Sequence, residues 1–136
     1  AYTEVGRGVN PAESLARADS HARHSLEVRP GHLMSRIDLS NIYQVKEERA
    51  LMVGGDRATL IDASIDLLEQ ILKDKPDYVL ALNEIGSAYL RKARLLRDRG
   101  ENPVEYLNRA IDAYHQRLET SPDNEKTLYN LGLTYE

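Results

Sequence analysis

The chain reads GVNPAESL at residues 8–15 and, near its other end, GENPVEYL at residues 100–107. The two segments share the pattern Gly-x-Asn-Pro-x-Glu-x-Leu and start 92 positions apart. A weaker copy, GGDRATLI, starts halfway between them at Gly54, with Asp56 in place of the asparagine. This spacing predicts a repeat of 46 residues.

The same step relates other residues along the whole chain, which is typical of a repeat array. Residues 1–8 match residues 93–100, and the last residues have the sequence of a first helix, so we expect the chain to be a piece of a longer array. The recurring residues include Tyr43, Tyr89 and Tyr135, Pro30, Pro76 and Pro122, and Leu26, Leu72 and Leu118. We treat 1–136 as one domain with a partial unit (1–30), two full units (31–76 and 77–122) and a final partial unit (123–136).

Each unit is predicted to contain two helices. In the second full unit, Asn102 is a good N-cap, Pro103 suits the first helical position, and Glu105 completes a capping-box pattern. Apolar residues then follow helical spacing on one face, namely Val104, Leu107, Ile111, Tyr114 and Leu118. Applied along the chain, the period predicts helices at about 11–28, 32–52, 57–74, 77–99, 103–120 and 124–136.

The composition is that of a soluble globular chain, with 41% hydrophobic and 29% charged residues. A net charge of −4 with interleaved signs argues against a nucleic-acid surface, which usually carries a basic stripe. No apolar run is long enough to cross a bilayer, so we expect no membrane insertion. Without cysteine there is no disulfide or thiolate chemistry, and the compartment stays open, with the cytoplasm favoured.

The units resemble tetratricopeptide repeats over essentially the whole chain. The matching residues are Ile85, Gly86 and Tyr89, Leu131, Gly132 and Tyr135, Ala110, Tyr114 and Pro122, and Ser64, Leu68 and Pro76. Small residues at Gly86, Gly132 and Ala110 would let paired helices approach closely. This chain departs from the family pattern at Ser40, which replaces the glycine, and at Ala22, which replaces the aromatic residue. The resemblance implies an all-α, right-handed solenoid of stacked antiparallel helix pairs.

The resemblance also implies a binding surface for a protein or peptide ligand along the first helix of each pair. Its mixture of amide and apolar side chains suits an extended peptide or a helix. In the other interpretation, neighbouring helices absent from this chain cover part of that row. Only Asn41 fits the Lys and Asn positions with which some of these domains hold a C-terminal carboxylate. The predicted row is Met34, Ile37, Asn41, Gln44, Leu80, Asn83, Ser87, Leu90, Arg91, Lys126, Tyr129 and Leu133.

The 46-residue unit is longer than the common repeat of about 34 residues. Long units of this kind resemble the arrays that follow the kinase domain in some bacterial serine/threonine protein kinases. The alternative function is therefore a regulatory or sensor segment of such a kinase. The chain itself has no Gly-rich phosphate loop, catalytic-loop motif or Asp-Phe-Gly.

No catalytic, cofactor or metal site is predicted. His21, His24, His32 and His115 are interpreted as solvated or capping residues, because spacing alone does not place ligands together. Three acidic groups are interpreted as solvated helix faces, not as acid/base pairs: Asp62 with Asp66, Glu47 with Glu48, and Asp98, which lies between Arg97 and Arg99 and four residues after Arg94. We therefore expect a non-catalytic segment.

The two end helices are predicted to carry apolar faces that lack a partner within the chain. These faces are Leu128, Leu131 and Tyr135 at one end, and Leu15, Ala18, Ala22 and Leu26 at the other. Since such faces meet inside an intact array, we expect head-to-tail self-association at high concentration.

Overall fold

The structure, a computed structural model, describes residues 11–53 and 55–135. Within those residues the chain forms six helices joined by turns and has no strand, which confirms the predicted all-α class. The predicted helix limits agree with the structure to within two residues, while the expectations for residues 1–8 and Gly54 lie outside the described residues. The helices are α1 (Pro11–Val28), α2 (Leu33–Val53), α3 (Arg57–Asp74), α4 (Val79–Asp98), α5 (Val104–Thr120) and α6 (Glu125–Tyr135).

The three proline turns have the same hydrogen bonds at 46-residue intervals. The amide before each proline donates to the carbonyl four residues earlier: Arg29 to Ser25 at 2.8 Å, Lys75 to Ile71 at 2.8 Å, and Ser121 to Arg117 at 3.2 Å. Three residues later, the amides of His32, Tyr78 and Asn124 donate back to those turn residues at 3.1–3.2 Å. Proline fits between them because its position needs no N–H donor.

The glycine junction before α5 explains the opening motif. Gly100 has φ +74°, a left-handed conformation that glycine adopts without a Cβ penalty. Its amide donates to Arg97 O at 3.0 Å, and Glu101 N donates to Leu96 O at 2.8 Å, which is a Schellman termination. Asn102 Oδ1 then accepts from Val104 N at 3.0 Å and begins α5. Glycine therefore ends one helix and asparagine starts the next.

Each helix packs against the next one in the chain, and α4 also contacts α6. The main core lies among α2, α3, α4 and α5, and it includes Ile61, Leu68, Ile85 and Tyr114. A smaller cluster joins α1 to α2 through Ala22, Leu39 and Ile42. Asp19 of α1 adds ion pairs with Arg23 and with Lys46 of α2.

The helices α4 and α5 approach each other closely at Gly86. A Cβ built on Gly86 would lie 2.4 Å from Cε1 of Tyr114, whose side chain is 1% exposed. Burial raises the pKa of the Tyr114 phenol to about 12, so the ring stays neutral. The corresponding glycine of α6, Gly132, has no atom within 4 Å of a built Cβ.

The repeated tyrosines occupy different surroundings. Tyr43 accepts from Arg23 Nη2 at 2.7 Å, while Tyr89 donates to Glu69 at 3.2 Å, and the two partners stand 46 residues apart. Tyr135 is 67% exposed. On the predicted apolar face of α5, Tyr114 is buried, whereas Val104, the first residue of the helix, is 52% exposed.

None of the helices in the described ranges has both the length and the apolar character needed to span a lipid bilayer.

Candidate interaction surface

The predicted row on α2, α4 and α6, here called the first-helix row, exposes apolar side chains on all three helices. Met34 is 47% exposed, Leu80 is 44% exposed and Tyr129 is 67% exposed. Asn41 and Lys126 are also exposed. The Tyr78 hydroxyl donates to Sδ of Met34 at 3.2 Å, which joins the start of α4 to the start of α2. The row therefore offers apolar anchors beside polar groups.

Two predicted members of the row belong to the core instead. Ile37 is 4% exposed and Leu90 is 6% exposed, and both lie in the main hydrophobic cluster. Their side chains pack between helices, so neither one offers a surface to a ligand. The side chain of Leu133 lies outside the described part of the chain.

The remaining members are half-buried and are held by neighbours. Arg91 Nη1 donates to Ser87 Oγ at 2.8 Å, and Asn83 Oδ1 accepts from Arg117 Nε at 2.9 Å. Gln44 of α2 is half-buried as well. These hydrogen bonds fix the polar side chains of α4 in place, which lowers the entropy cost of binding to them.

The interpretation of Glu47 and Glu48 as a solvated helix face is wrong for Glu47, which is buried. Its side chain is 6% exposed, and Arg91 Nε lies 3.0 Å from both carboxylate oxygens. Burial raises the pKa of Glu47, and the charge and hydrogen bond of Arg91 oppose this only in part. The same repeat position 46 residues later holds an apolar residue, Ala93, and this was a sequence signal for burial. In the structure Ala93 is 1% exposed.

Arg117 is a further residue that sequence reasoning missed. It is 9% exposed, although it stands at the repeat position of Ile71, which is fully buried. The guanidinium therefore replaces an aliphatic side chain at a core position, next to Asn83 of the first-helix row. Comparison of the two full units would have identified Arg117 as buried.

The remaining candidate side chains have structural roles. Asp62 pairs with Lys92 at 2.8 Å, and Asp98 lies 3.9 Å from Arg97 instead of pairing with Arg94. His32 Nδ1 accepts from Ser35 N at 3.2 Å at the start of α2.

In the described part of the chain, no group of three or more His, Asp or Glu side chains could hold a metal ion. His21 and His24 are exposed on α1, and His115 is exposed on α5. Spacing alone did not bring these imidazoles together as ligands.

Two clefts lie away from the first-helix row. One of about 770 Å³ lies against α1 and the end of α2, where Asp19, Arg23 and Lys46 line it. Another of about 520 Å³ lies between α3 and α5, with Ile85 and Tyr89 of α4 as its floor. In the first cleft Asp19 forms ion pairs with Arg23 and Lys46, and in the second Glu69 accepts a hydrogen bond from Tyr89.

Comparison with known proteins finds no match, either to a protein-family model or to a curated protein.

Proposed function

We propose that this chain is a tetratricopeptide-like repeat segment that binds a protein or peptide and carries out no reaction. In this proposal the helix pairs stack as a right-handed solenoid, and the ligand lies along the first-helix row. The observation that carries the proposal is the exposure of Met34, Leu80 and Tyr129 on three first helices. Side-chain contacts of Tyr78 with Met34 and of Arg91 with Glu47 join α2 to α4, and α4 contacts α6. The recurrence of one hydrogen-bonded turn every 46 residues supports the repeat itself.

The surroundings of these anchors suit a pre-organised binding surface. Ile37 and Leu90 secure α2 and α4 in the core from beneath the row. The Glu47–Arg91 pair links the same two helices near the surface. A ligand would thus meet apolar anchors on a rigid support, with Asn41 available for hydrogen bonds to its backbone.

The first test of this proposal uses a displayed library of random peptides selected on the wild-type chain. Leu80→Glu and Tyr129→Glu should each weaken the selected peptides by about tenfold or more, because a charge replaces an apolar anchor. Val104→Glu is the matched control, since Val104 is similarly exposed but lies outside the row. Failure to select any peptide, or equal losses in all three variants, would contradict the proposal.

The non-catalytic part of the proposal has a separate test. A steady turnover by this chain that one point substitution abolishes would show that a catalytic site exists. Such a result would leave peptide binding along the row intact.

We also propose head-to-tail self-association, supported by the exposure of α6. Leu128 and Tyr135 are 47% and 67% exposed, whereas their α4 counterparts Leu82 and Tyr89 are 3% and 9% exposed. On α1 the available apolar surface is smaller than expected, because Ala22 is 6% exposed and packs in the cluster with α2.

Light scattering over about a hundredfold range of concentration tests this association. The average molecular mass of wild type should increase with concentration, whereas the double variant Leu128→Glu with Tyr135→Glu should remain monomeric. These positions are preferred to Leu131, which packs against the core. A monomeric wild type, or association that survives both substitutions, would rule the contact out.

A further inference from the structure

Arg117 is a largely buried basic residue at the end of α5. The residue is 9% exposed and lies in the last turn of the helix. In the preceding unit the same repeat position holds Ile71, and the partner position of Asn83 holds Ile37, both in the apolar core. The second unit thus replaces two buried isoleucines with an arginine and an asparagine.

The hydrogen bonding of Arg117 leaves one edge of its guanidinium unused. Asn83 Oδ1 accepts from Nε at 2.9 Å, and no carboxylate of residues 11–53 and 55–135 forms an ion pair with Arg117. Over the same residues, the hydroxyl of Tyr114 is the one buried side-chain polar atom that lacks a partner. The two terminal nitrogens of Arg117 are therefore in contact with solvent.

This arrangement is costly unless something else compensates the charge. Burying most of a cation without a counter-ion is unfavourable. The remaining solvent contact of the terminal nitrogens and the half-charge at the carboxyl end of α5 offset only part of that cost. Asn83 is neutral, so it orients the guanidinium without neutralising it. The two terminal N–H₂ groups of an arginine present parallel donors that match the two oxygens of a carboxylate or phosphate.

We propose that Arg117, positioned by Asn83, binds an oxyanion, either a carboxylate or a phosphate group. Because Asn83 belongs to the first-helix row, the site would recognise an acidic group of the bound peptide. That last step rests on the proposed function, while the oxyanion site itself does not.

The preceding unit supplies the variant that tests the site. Asn83→Ile with Arg117→Ile copies the Ile37 and Ile71 arrangement, so it removes the charge while restoring apolar packing already used in this chain. Wild type and the double variant are titrated with acetate and, separately, with inorganic phosphate, at an ionic strength held constant with chloride. The NMR signal of the Arg117 Nε–H group and the thermal midpoint are followed.

In wild type the Arg117 signal should shift and saturate, and the midpoint should rise by about 2–4 °C near saturation. Phosphate also stabilises proteins generally by exclusion from their surface, and the double variant measures that shared part. A response to acetate alone assigns a carboxylate, and a response to phosphate alone assigns a phosphoryl group. Both results support the site and identify its ligand chemistry.

Arg117→Lys provides the second variant in case the double variant folds poorly. It keeps a positive charge but loses the paired donors, so the anion should bind about tenfold more weakly. A wild-type signal that shifts linearly without saturating would overturn the proposal, as would midpoint changes equal in all variants. These titrations use no peptide. A negative result would therefore overturn the oxyanion site without deciding peptide binding, which the Leu80 and Tyr129 variants test separately.

Discussion

The two complete helix pairs, α2–α3 and α4–α5, close on each other with different residues at the same repeat positions. In the first pair, the hydroxyls of Ser40 and Ser64 lie 3.1 Å apart in a buried hydrogen bond. In the second pair the same positions are Gly86 and Ala110, and the ring of Tyr114 packs over the glycine. Each pair is therefore matched within itself.

Two further positions differ in the same matched way. Ile37 and Ile71 of the first pair correspond to the hydrogen-bonded Asn83 and Arg117 of the second. Apolar packing in one unit is replaced by a polar contact in the other, with both partners changed together. The residue at a repeat position therefore depends more on the residue that it contacts across the helix pair than on a residue type shared by both units.

The largest expected effect comes from placing a side chain at Gly86. Gly86→Leu should lower the free energy of unfolding by about 1–3 kcal/mol or more, because even the Cβ would overlap the buried Tyr114 ring. Urea unfolding of the variant and wild type measures the loss. Adding Tyr114→Leu, which copies Leu68 of the first pair, should recover part of it.

Gly132 provides the matched control for this prediction. It occupies the same repeat position on α6, but a built Cβ there meets no atom within 4 Å. Gly132→Ala should stabilise by about 0.5–1 kcal/mol through reduced backbone entropy of the unfolded chain. If Gly86→Ala stabilised the protein by the same amount, the close contact between α4 and α5 would be disproved.

The next effect tests the serine pair of α2–α3. Ser64→Ala should cost about 1–2 kcal/mol, because it leaves the Ser40 hydroxyl, 2% exposed, without its partner. Replacing both serines with alanine should cost less than the sum of the two single changes. Denaturant unfolding of the three variants gives the coupling energy, and strict additivity would mean that the hydrogen bond contributes nothing.

The sequence predicted the helices well because their ends are chemically marked. Proline, glycine and asparagine recur at the turns, and the hydrogen bonds at Pro76 and Pro122 are the ones that such residues favour. Side-chain burial was predicted less well. Charge alone placed Glu47 on the surface, although it is 5% exposed. Helical spacing put Val104 on one face with Tyr114, but Val104 is 52% exposed and Tyr114 is 1% exposed.

The candidate site was predicted in part. The resemblance identified the exposed Met34, Leu80 and Tyr129, but it also included Ile37 and Leu90, which are buried. Helical periodicity gives the direction of a side chain and does not tell how far the neighbouring helix covers it. That coverage depends on contacts between units, which require coordinates or an alignment of one unit with the other.

The pH dependence of Glu47 sharpens the comparison, because Ala93 replaces it in the second unit. Burial raises the pKa of Glu47 in the folded state above its value in the unfolded state. Between these two pKa values the folded protein binds more protons than the unfolded chain, so a lower pH favours folding. The contribution of Glu47 to stability is therefore fully present below the unfolded pKa and is lost as the pH rises through the folded pKa. Unfolding of wild type and Glu47→Gln is compared from neutral to acidic pH.

We expect wild type to gain stability relative to Glu47→Gln as the pH decreases. The opposite trend would mean that pairing with Arg91 outweighs burial and lowers the pKa. Asp19 provides the contrasting case, since burial raises its pKa but hydrogen bonds from Lys46 and Arg23 outweigh this and leave it lowered. Asp19→Asn should therefore have a lower free energy of unfolding than wild type at neutral pH, and this difference should shrink as the pH falls.

The smallest effect is expected at His24, on the exposed side of α1. The same repeat position holds Gln70 in α3 and Gln116 in α5, and all three residues are exposed. The His24 side chain is 74% exposed and lies 3.8 Å from Glu27, an arrangement that contributes little in water. His24→Ala should therefore change the free energy of unfolding by less than about 0.5 kcal/mol. Thermal melts that ranked His24→Ala as more damaging than Gly86→Leu would show that the 46-residue register assigns both positions wrongly.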